Sequence, residues 1–261
     1  MIVVRNLTKA YGEHRVVRDV SFEIPRGGVT SIIGPNGAGK STLLSLVSRL
    51  LPATGGSVHV DDLDIARAPS DILARRLAIL RQENVITARL TVRELVEFGR
   101  FPHSRGRLTA EDRQRAQDAI DYLDLRELSD RFIDEMSGGQ RQRAFVAMVL
   151  CQDADYVLMD EPLNSLDMKH AAAMMRLIRK ISDERGKTFV VVLHDINFAS
   201  NYSDRIMAMR DGELIRQGTP SEIMQSRVLR EIFDIDVPIH EIDGRRVAMY
   251  YGYRRGHRTR E

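Results

Sequence analysis

Val29-Thr30-Ser31-Ile32-Ile33-Gly34-Pro35-Asn36-Gly37-Ala38-Gly39-Lys40-Ser41-Thr42 joins a strand, a glycine-rich loop and the start of a helix. Val29–Ile33 is a short, largely apolar run that stops at Gly34, as a buried strand does. Lys40–Leu51 reads as a helix ended by Pro52. Between them, Gly34 to Ser41 matches the pattern G-x-x-x-x-G-K-[ST] with no departure. The glycines let the backbone curl so that successive N–H groups face phosphate oxygens. The helix that follows presents its positive end to the same anion. In such a loop Gly34, Pro35, Asn36, Gly37, Ala38 and Gly39 cradle the phosphates, and Lys40 reaches the β- and γ-phosphates. The Ser41 hydroxyl ligates Mg²⁺, and Thr42 adds a hydroxyl near the α-phosphate. Lys40 is expected to be solvated when the loop is empty.

Two further constellations sit downstream. Val157-Leu158-Met159-Asp160-Glu161-Pro162 is an apolar strand ending in two acids, at the edge where parallel sheets bind ligands. Asp160 is suited to hold Mg²⁺, and Glu161 to orient and deprotonate an attacking water. Ser137-Gly138-Gly139-Gln140 is a serine cap with two glycines opening a helix, which exposes N–H groups and a positive dipole end. The chain thus has a second anion-binding helix start, far from the first, and one nucleotide need not use both.

Val3–Leu7 and Val16–Ile24 read as strands. The segment from about residue 91 to 152 turns helical. Thr91 can cap Val92–Gly99, Thr109 opens a capping box and a helix to about Leu123, and Ser137 caps a run to Gln152. Strands return at Tyr156–Met159 and Thr188–Leu193, with a helix, Met168–Arg185, between them. Hairpin signals stand at Asp211-Gly212 and Asp243-Gly244. The fold class is therefore α/β: a P-loop NTPase core with a mostly parallel sheet, an antiparallel β periphery and an inserted helical subdomain.

Composition narrows the function classes. With 43% hydrophobic and 29% charged residues over 261 positions, the chain is globular. A net charge of +2 gives no basic field for nonspecific nucleic-acid binding, so no nucleic-acid partner is expected. Arg254, Arg255, Arg258 and Arg260 against Glu261 make a local +3, which reads as a solvated tail or a contact for anionic lipid. Cys151 is the single cysteine, so no internal disulfide forms, and its apolar helical setting predicts a buried thiol. The N-terminus lacks a signal-peptide pattern, and no run of about 18 apolar residues could span a bilayer, so any membrane part is expected on another chain.

With these motifs in place, the sequence resembles the ATP-binding subunits of ABC transporters over nearly its whole length. Met136 precedes Ser137–Gln140 where that family's signature more often has leucine. Other landmarks follow in order. Tyr11 corresponds to the aromatic stacked on adenine, and Gln82 to the Q-loop that senses Mg²⁺ and the membrane partner. Ser165-Leu166-Asp167 matches the D-loop, with Asn164 in place of the usual small residue, and His194 matches the switch histidine on the γ-phosphate. The resemblance implies a transport-coupled ATP hydrolase using ATP and Mg²⁺, with Glu161, His194 and Gln82 catalytic and Ser41, Gln82 and Asp160 at the metal. It also implies a head-to-tail homodimer in which the P-loop of one subunit and Ser137, Gly138, Gly139 and Gln140 of the other sandwich each ATP.

Polytopic permease subunits, indirectly a substrate-binding protein, and a place on the cytoplasmic face of the cell membrane follow from the same resemblance. One ABC ATPase unit spans 1–261: a core of about 1–90 and 153–235, a signature subdomain of about 91–152 and a C-terminal extension of about 236–261. Gly99-Arg100-Phe101-Pro102-His103 is similar to the branch serving iron–siderophore, haem and cobalamin importers, and Ile235–Tyr251 is similar to its ferric-siderophore members. Arg81-Gln82-Glu83-Asn84 departs from the usual lead-in, which bears on the membrane partner. The alternatives are a haem or cobalamin importer, an exporter, or a non-transport ABC ATPase. A P-loop kinase would leave Ser137–Gln140 and His194 without a role.

Overall fold

The computed structural model of the protein describes residues 1–82, 88–164 and 166–250. Glu83, Asn84, Ser165, Tyr251 and the basic run 254–261 lie outside the described residues. Two sheets organise the chain. The smaller is antiparallel, in the order β2 (His14–Ile24), β1 (Ile2–Tyr11), β4 (Gly55–Val60), β5 (Leu63–Asp64). The larger runs β10 (Glu213–Gly218), β9 (Arg205–Arg210), β3 (Val29–Ile33), β8 (Thr188–Val192), β7 (Tyr156–Asp160), β6 (Leu77–Leu80). In it β6, β7, β8, β3 and β9 are parallel, and β10 turns back antiparallel on β9.

Strands β3, β7, β8 and the middle of β9 are buried on both faces, and the period-two alternation of strands divides their side chains between two cores. Met159, Phe189, Val191 and Ala208 enter one, with the helices that cover that face. Leu158, Val190, Val192 and Met209 enter the other, with the smaller sheet and α1 (Lys40–Val47). Burying Leu43, Leu44, Leu46 and Val47 there contributes about 1.5–3 kcal/mol for each side chain. α1 ends four residues before the expected Leu51, and Pro52 is not what ends it. Arg49 takes a left-handed φ of 60°, and its guanidinium donates to the carbonyls of Ile65 (2.9 Å) and Ala68 (2.5 Å). The left-handed Arg49 ends the helix before the proline is reached, and its side chain ties that end to the segment leading into α2 (Ser70–Arg76).

The expected helical segment contains α3 (Val92–Phe98), α4 (Phe101–Ser104), α5 (Ala110–Tyr122) and α6 (Gly138–Cys151). α3, α5 and α6 pack on one another. Thr91, Thr109 and Ser137 each close a capping box, a feature worth about 1 kcal/mol per cap. The stretch Gly99–His103 clasps these helices together. Arg100 donates to Asp112 of α5 and to the Cys151 carbonyl of α6, both at 2.9 Å, and His103 Nε2 lies 2.9 Å from the Gln152 carbonyl. A side chain at Gly99 would meet the Met148 carbonyl at 2.2 Å.

α7 (Met168–Arg185) returns the chain to β8, and α8 (Ile196–Tyr202) lies between β8 and β9. α9 (Pro220–Ile223) and α10 (Ser226–Phe233) lead to a hairpin of β11 (Ile239–Ile242) and β12 (Arg245–Ala248). Both expected Asp-Gly turns are present with positive φ at each residue: 52° and 83° at Asp211-Gly212, 51° and 72° at Asp243-Gly244. Among the described residues no helix is long and apolar enough to cross a membrane.

Candidate functional site

The site forms where β3 and β7 end, because the phosphate loop leaves one strand and the acid pair closes the other. Gly34 has φ 146°, and a Cβ there would lie 2.1 Å from the Met209 carbonyl, so the loop must pass β9 without a side chain. Gly39 is the N-cap of α1 at φ 94°, and a Cβ there would stand 2.7 Å from the Val16 carbonyl. Backbone bonds from Gly212 N to Ala38 O (3.2 Å) and from Arg18 N to Gly212 O (2.8 Å) tie the loop to β2 and the β9–β10 turn. The loop is thus braced from two sides before any anion arrives.

Lys40 corrects the expectation of a solvated side chain: it is only 5% exposed. Its ammonium donates to the carbonyls of Gly34 and Pro35, each at 2.9 Å, so it folds back across its own loop. Burial lowers its pKa from the ordinary lysine value, and the carboxylates of Glu161 and Asp160 oppose that shift.

Ser41 Oγ donates to Asp160 Oδ1 at 2.9 Å, which joins the start of α1 to the end of β7. Burial raises the Asp160 pKa; the Ser41 bond opposes this, the neighbouring Glu161 adds to it, and Lys40 opposes it. Glu161 stands at φ 50°, a left-handed conformation of the kind that costs about 1–3 kcal/mol in a non-glycine residue. Its side chain is 10% exposed, with His194 Nε2 2.6 Å from Oε1. Asn164 Nδ2 donates to Oε2 at 2.6 Å. Nothing in the sequence pattern marked Asn164 as a partner of Glu161; it stood only as an odd residue before the Leu166-Asp167 segment. Its spacing of three from Glu161 across a turn is the signal that was there to be read.

Two clefts meet at Ser41 and Thr42. One, of about 310 Å³, is lined by Asn36 to Thr42, Val16 and Glu161. The other, of about 530 Å³, has Tyr11, Gln82 and Asp160 in its wall. Tyr11 is 54% exposed, and the Lys9 ammonium lies 5.0 Å from its ring centroid. The predicted residues Tyr11, Gln82, Asp160, Glu161 and His194 are therefore gathered around the phosphate loop.

Ser137, Gly138, Gly139 and Gln140 are not. Ser137 Oγ accepts from Gln140 N at 3.4 Å, and Gln140 Oε1 accepts from Ser137 N at 3.1 Å, so Gln140 acts within the chain as the cap partner. A Cβ on Gly138 would meet open space, whereas one on Gly139 would strike the His170 ring at 2.5 Å. His170 is held in turn by Asp167 Oδ1, 2.8 Å from its Nδ1. This helix start lines a separate hollow with Arg143, Lys169 and His170.

A glycine loop braced between β3 and α1, facing a Ser41–Asp160 pair and a carboxylate at the end of β7, defines a P-loop nucleotide-hydrolysing protein. Residues 17–164 match the profile of the ABC transporter family, and the chain belongs to it, as a transport-coupled ATPase subunit. The petrobactin import ATP-binding protein YclP of Bacillus subtilis (strain 168) is 49% identical over 251 residues, covering 96% of this chain and all of that one. The petrobactin import ATP-binding protein FatE of Bacillus anthracis is 51% identical over 239 residues, with 92% and 96% covered. The dimeric post-hydrolysis structure of the ATP-binding cassette MJ0796 bound to ADP and Pi superimposes with a TM-score of 0.74. It is 34% identical, with 84% of this chain and 99% of that one covered.

Proposed function

We propose that this chain powers the import of a ferric siderophore of the petrobactin type, working as a homodimer on the cytoplasmic face of the membrane beneath separate permease subunits. The observation that carries the ATPase half is the arrangement of Glu161 between His194 and Asn164, beside the Ser41–Asp160 pair. Each carboxylate oxygen has two lone pairs, so both partners orient Glu161 while a lone pair stays available for a water proton. The substrate half is supported by YclP and FatE, both named as petrobactin import proteins. Gly99–His103, similar to a branch of importers, acts here as the clasp of the helical segment.

ATP would stack its base on Tyr11 and lay its phosphates along Gly34–Thr42. Lys40 would exchange the Gly34 and Pro35 carbonyls for phosphate oxygens. Ser41, Asp160 and Gln82 offer oxygen donors only, which fits Mg²⁺ shared with phosphates and water. A Mg²⁺ held by these residues would supply charge neutralisation at the phosphates. Glu161 takes the proton of the attacking water, and His194 contacts the γ-phosphate. Ser137–Gln140, outside both clefts of its own chain, would cover the γ-phosphate of the ATP held by the partner subunit. That makes ATP a ligand with far higher affinity for the closed dimer, which is the differential affinity that drives closure. The division into a core of about 1–90 and 153–235, a signature subdomain of about 91–152 and an extension from about 236 belongs to the same reading.

Cells lacking the chain should lose ferric-petrobactin uptake and regain it with the wild-type chain, not with Lys40→Ala. Retained petrobactin uptake with loss of haem or cobalamin uptake would move the substrate assignment. Co-purification with a polytopic membrane protein tests the permease.

A further inference from the structure

The amide of Asn197 fastens α8 to the hairpin β11–β12. Asn197 Nδ2 donates to the Ala248 carbonyl at 3.1 Å, and Ala248 N donates to Asn197 Oδ1 at 2.8 Å. The side chain thereby pairs with a backbone unit as a neighbouring strand would. Ala248 is fully buried, so its N–H and carbonyl have no water to turn to if Asn197 is removed. Ser200 Oγ, one turn along α8, donates to the Arg246 carbonyl at 3.2 Å. Residues three apart lie on one helix face, so Asn197 and Ser200 present a single polar face to β12.

The hairpin has its own anchors. Met249 N donates to the Pro238 carbonyl at 3.0 Å, which closes its base. The Arg246 guanidinium donates to the carbonyls of Ser221 and Met224, which ties it to the α9 segment. It is therefore a fixed support rather than a loose end.

α8 needs such a support. It has seven residues, fewer than an isolated helix needs to hold in water. It begins two residues after His194. Asp195 Oδ1 accepts from Asn197 N at 2.7 Å and from Phe198 N at 3.2 Å, so the cap joins the His194-Asp195 segment rigidly to the helix. A shift of α8 is passed directly to the imidazole that lies 2.6 Å from Glu161.

We infer that Asn197 is a positioning residue: through its clasp on Ala248 the C-terminal hairpin fixes α8, and with it the placement of His194 at the hydrolytic site. The inference rests on the reading of the chain as an ATPase in which His194 meets the γ-phosphate. It gives the extension beyond Asp236 a task in turnover, separate from nucleotide binding.

The test measures kcat and KM for MgATP, single-subunit MgATP affinity and thermal midpoint in the full-length chain. Asn197→Ala should lower kcat about tenfold, as small misplacements of reacting groups do, with KM and affinity unchanged. Ser200→Ala, a milder cut in the same clasp, should lower kcat less and in the same direction, and is read alone if Asn197→Ala does not fold. Tyr156→Phe is the stability control, since it loses a 2.6 Å bond to Asp61 at the other end of β7. It should lower the midpoint without lowering kcat. The inference is overturned if kcat is unchanged in both clasp variants, or if Tyr156→Phe lowers kcat as much at an equal loss of midpoint. Absence of turnover in the wild type would instead overturn the ATPase reading itself.

Discussion

His194 Nε2 lies 2.6 Å from Glu161 Oε1, although the two residues come from different strand ends and are far apart in the chain. β7 and β8 run parallel and adjacent, with Asp160 opposite Val192, so the residues just past both strands leave at the same sheet edge. Parallel pairing thus builds the contact, and the left-handed Glu161 turns its carboxylate toward the neighbouring strand end.

Lys40→Ala should lower MgATP affinity roughly ten- to a hundredfold, since a hydrogen bond to a charged group contributes about 1.5–3 kcal/mol. Calorimetry on the isolated subunit measures it. The thermal midpoint should also fall a little, because the buried ammonium bridges the Gly34 and Pro35 carbonyls. Wild-type affinity would remove the phosphate loop from the account.

Ser137→Arg should leave ATP binding to a single subunit intact while blocking hydrolysis and ATP-driven dimerisation. Its motive is the separation of Ser137 from both clefts that hold Ser41. Normal turnover in a steady-state ATPase assay would refute the sandwich.

The legible parts of this chain were those fixed by local chemistry. Gly34–Ser41, the acids after β7, the caps at Thr91, Thr109 and Ser137, and both Asp-Gly hairpins carry their reasons in adjacent residues. What could not be read depends on tertiary partners. Leu77–Leu80 is a strand because β7 offers it an edge, and α8 is too short to announce itself by periodicity. α1 stops short of Leu51 with Arg49 in a left-handed conformation and bonded to carbonyls well downstream, which no local propensity encodes. The burial of Lys40 is not legible locally, because it arises when the side chain folds back across its own loop. Asn164 pairs with Glu161 only once the turn is folded, so its role does not show in the sequence pattern.

Asp112→Asn should destabilise the fold by about 2–3 kcal/mol, because it removes the charge that the buried Arg100 pairs with. The Arg100 and Asp112 side chains are 6% and 8% exposed. The Thr109 backbone N–H, with Arg100 assisting and burial opposing, holds the Asp112 pKa down to about 2. A depressed carboxyl stabilises the fold above its unfolded pKa, near 4, and that contribution is lost as pH falls through the folded value. Wild-type stability should therefore fall between about pH 4 and 2, with a flatter profile in Asp112→Asn. Denaturant melts across that range measure it.

Cys151 should resist alkylation in the native protein at neutral pH and react once denaturant is added. It is 3% exposed, and burial pushes its thiol up to about 12. Mass spectrometry after iodoacetamide treatment reads the outcome.

If Glu161 acts as base while Asp160 serves the metal, MgATP affinity, turnover and size-exclusion position should separate Glu161→Gln from Asp160→Asn. Glutamine keeps the size and polarity of Glu161 and removes the base, so hydrolysis should slow by about 10²–10⁴ while binding stays strong. The chain should then move from monomer to dimer with MgATP, because the step that reopens the interface is gone. Asp160→Asn, which changes the acceptor of the Ser41 hydroxyl, should instead weaken Mg²⁺-dependent binding. Lost ATP binding in Glu161→Gln, or brisk turnover by it, would contradict the assignment of the two acids.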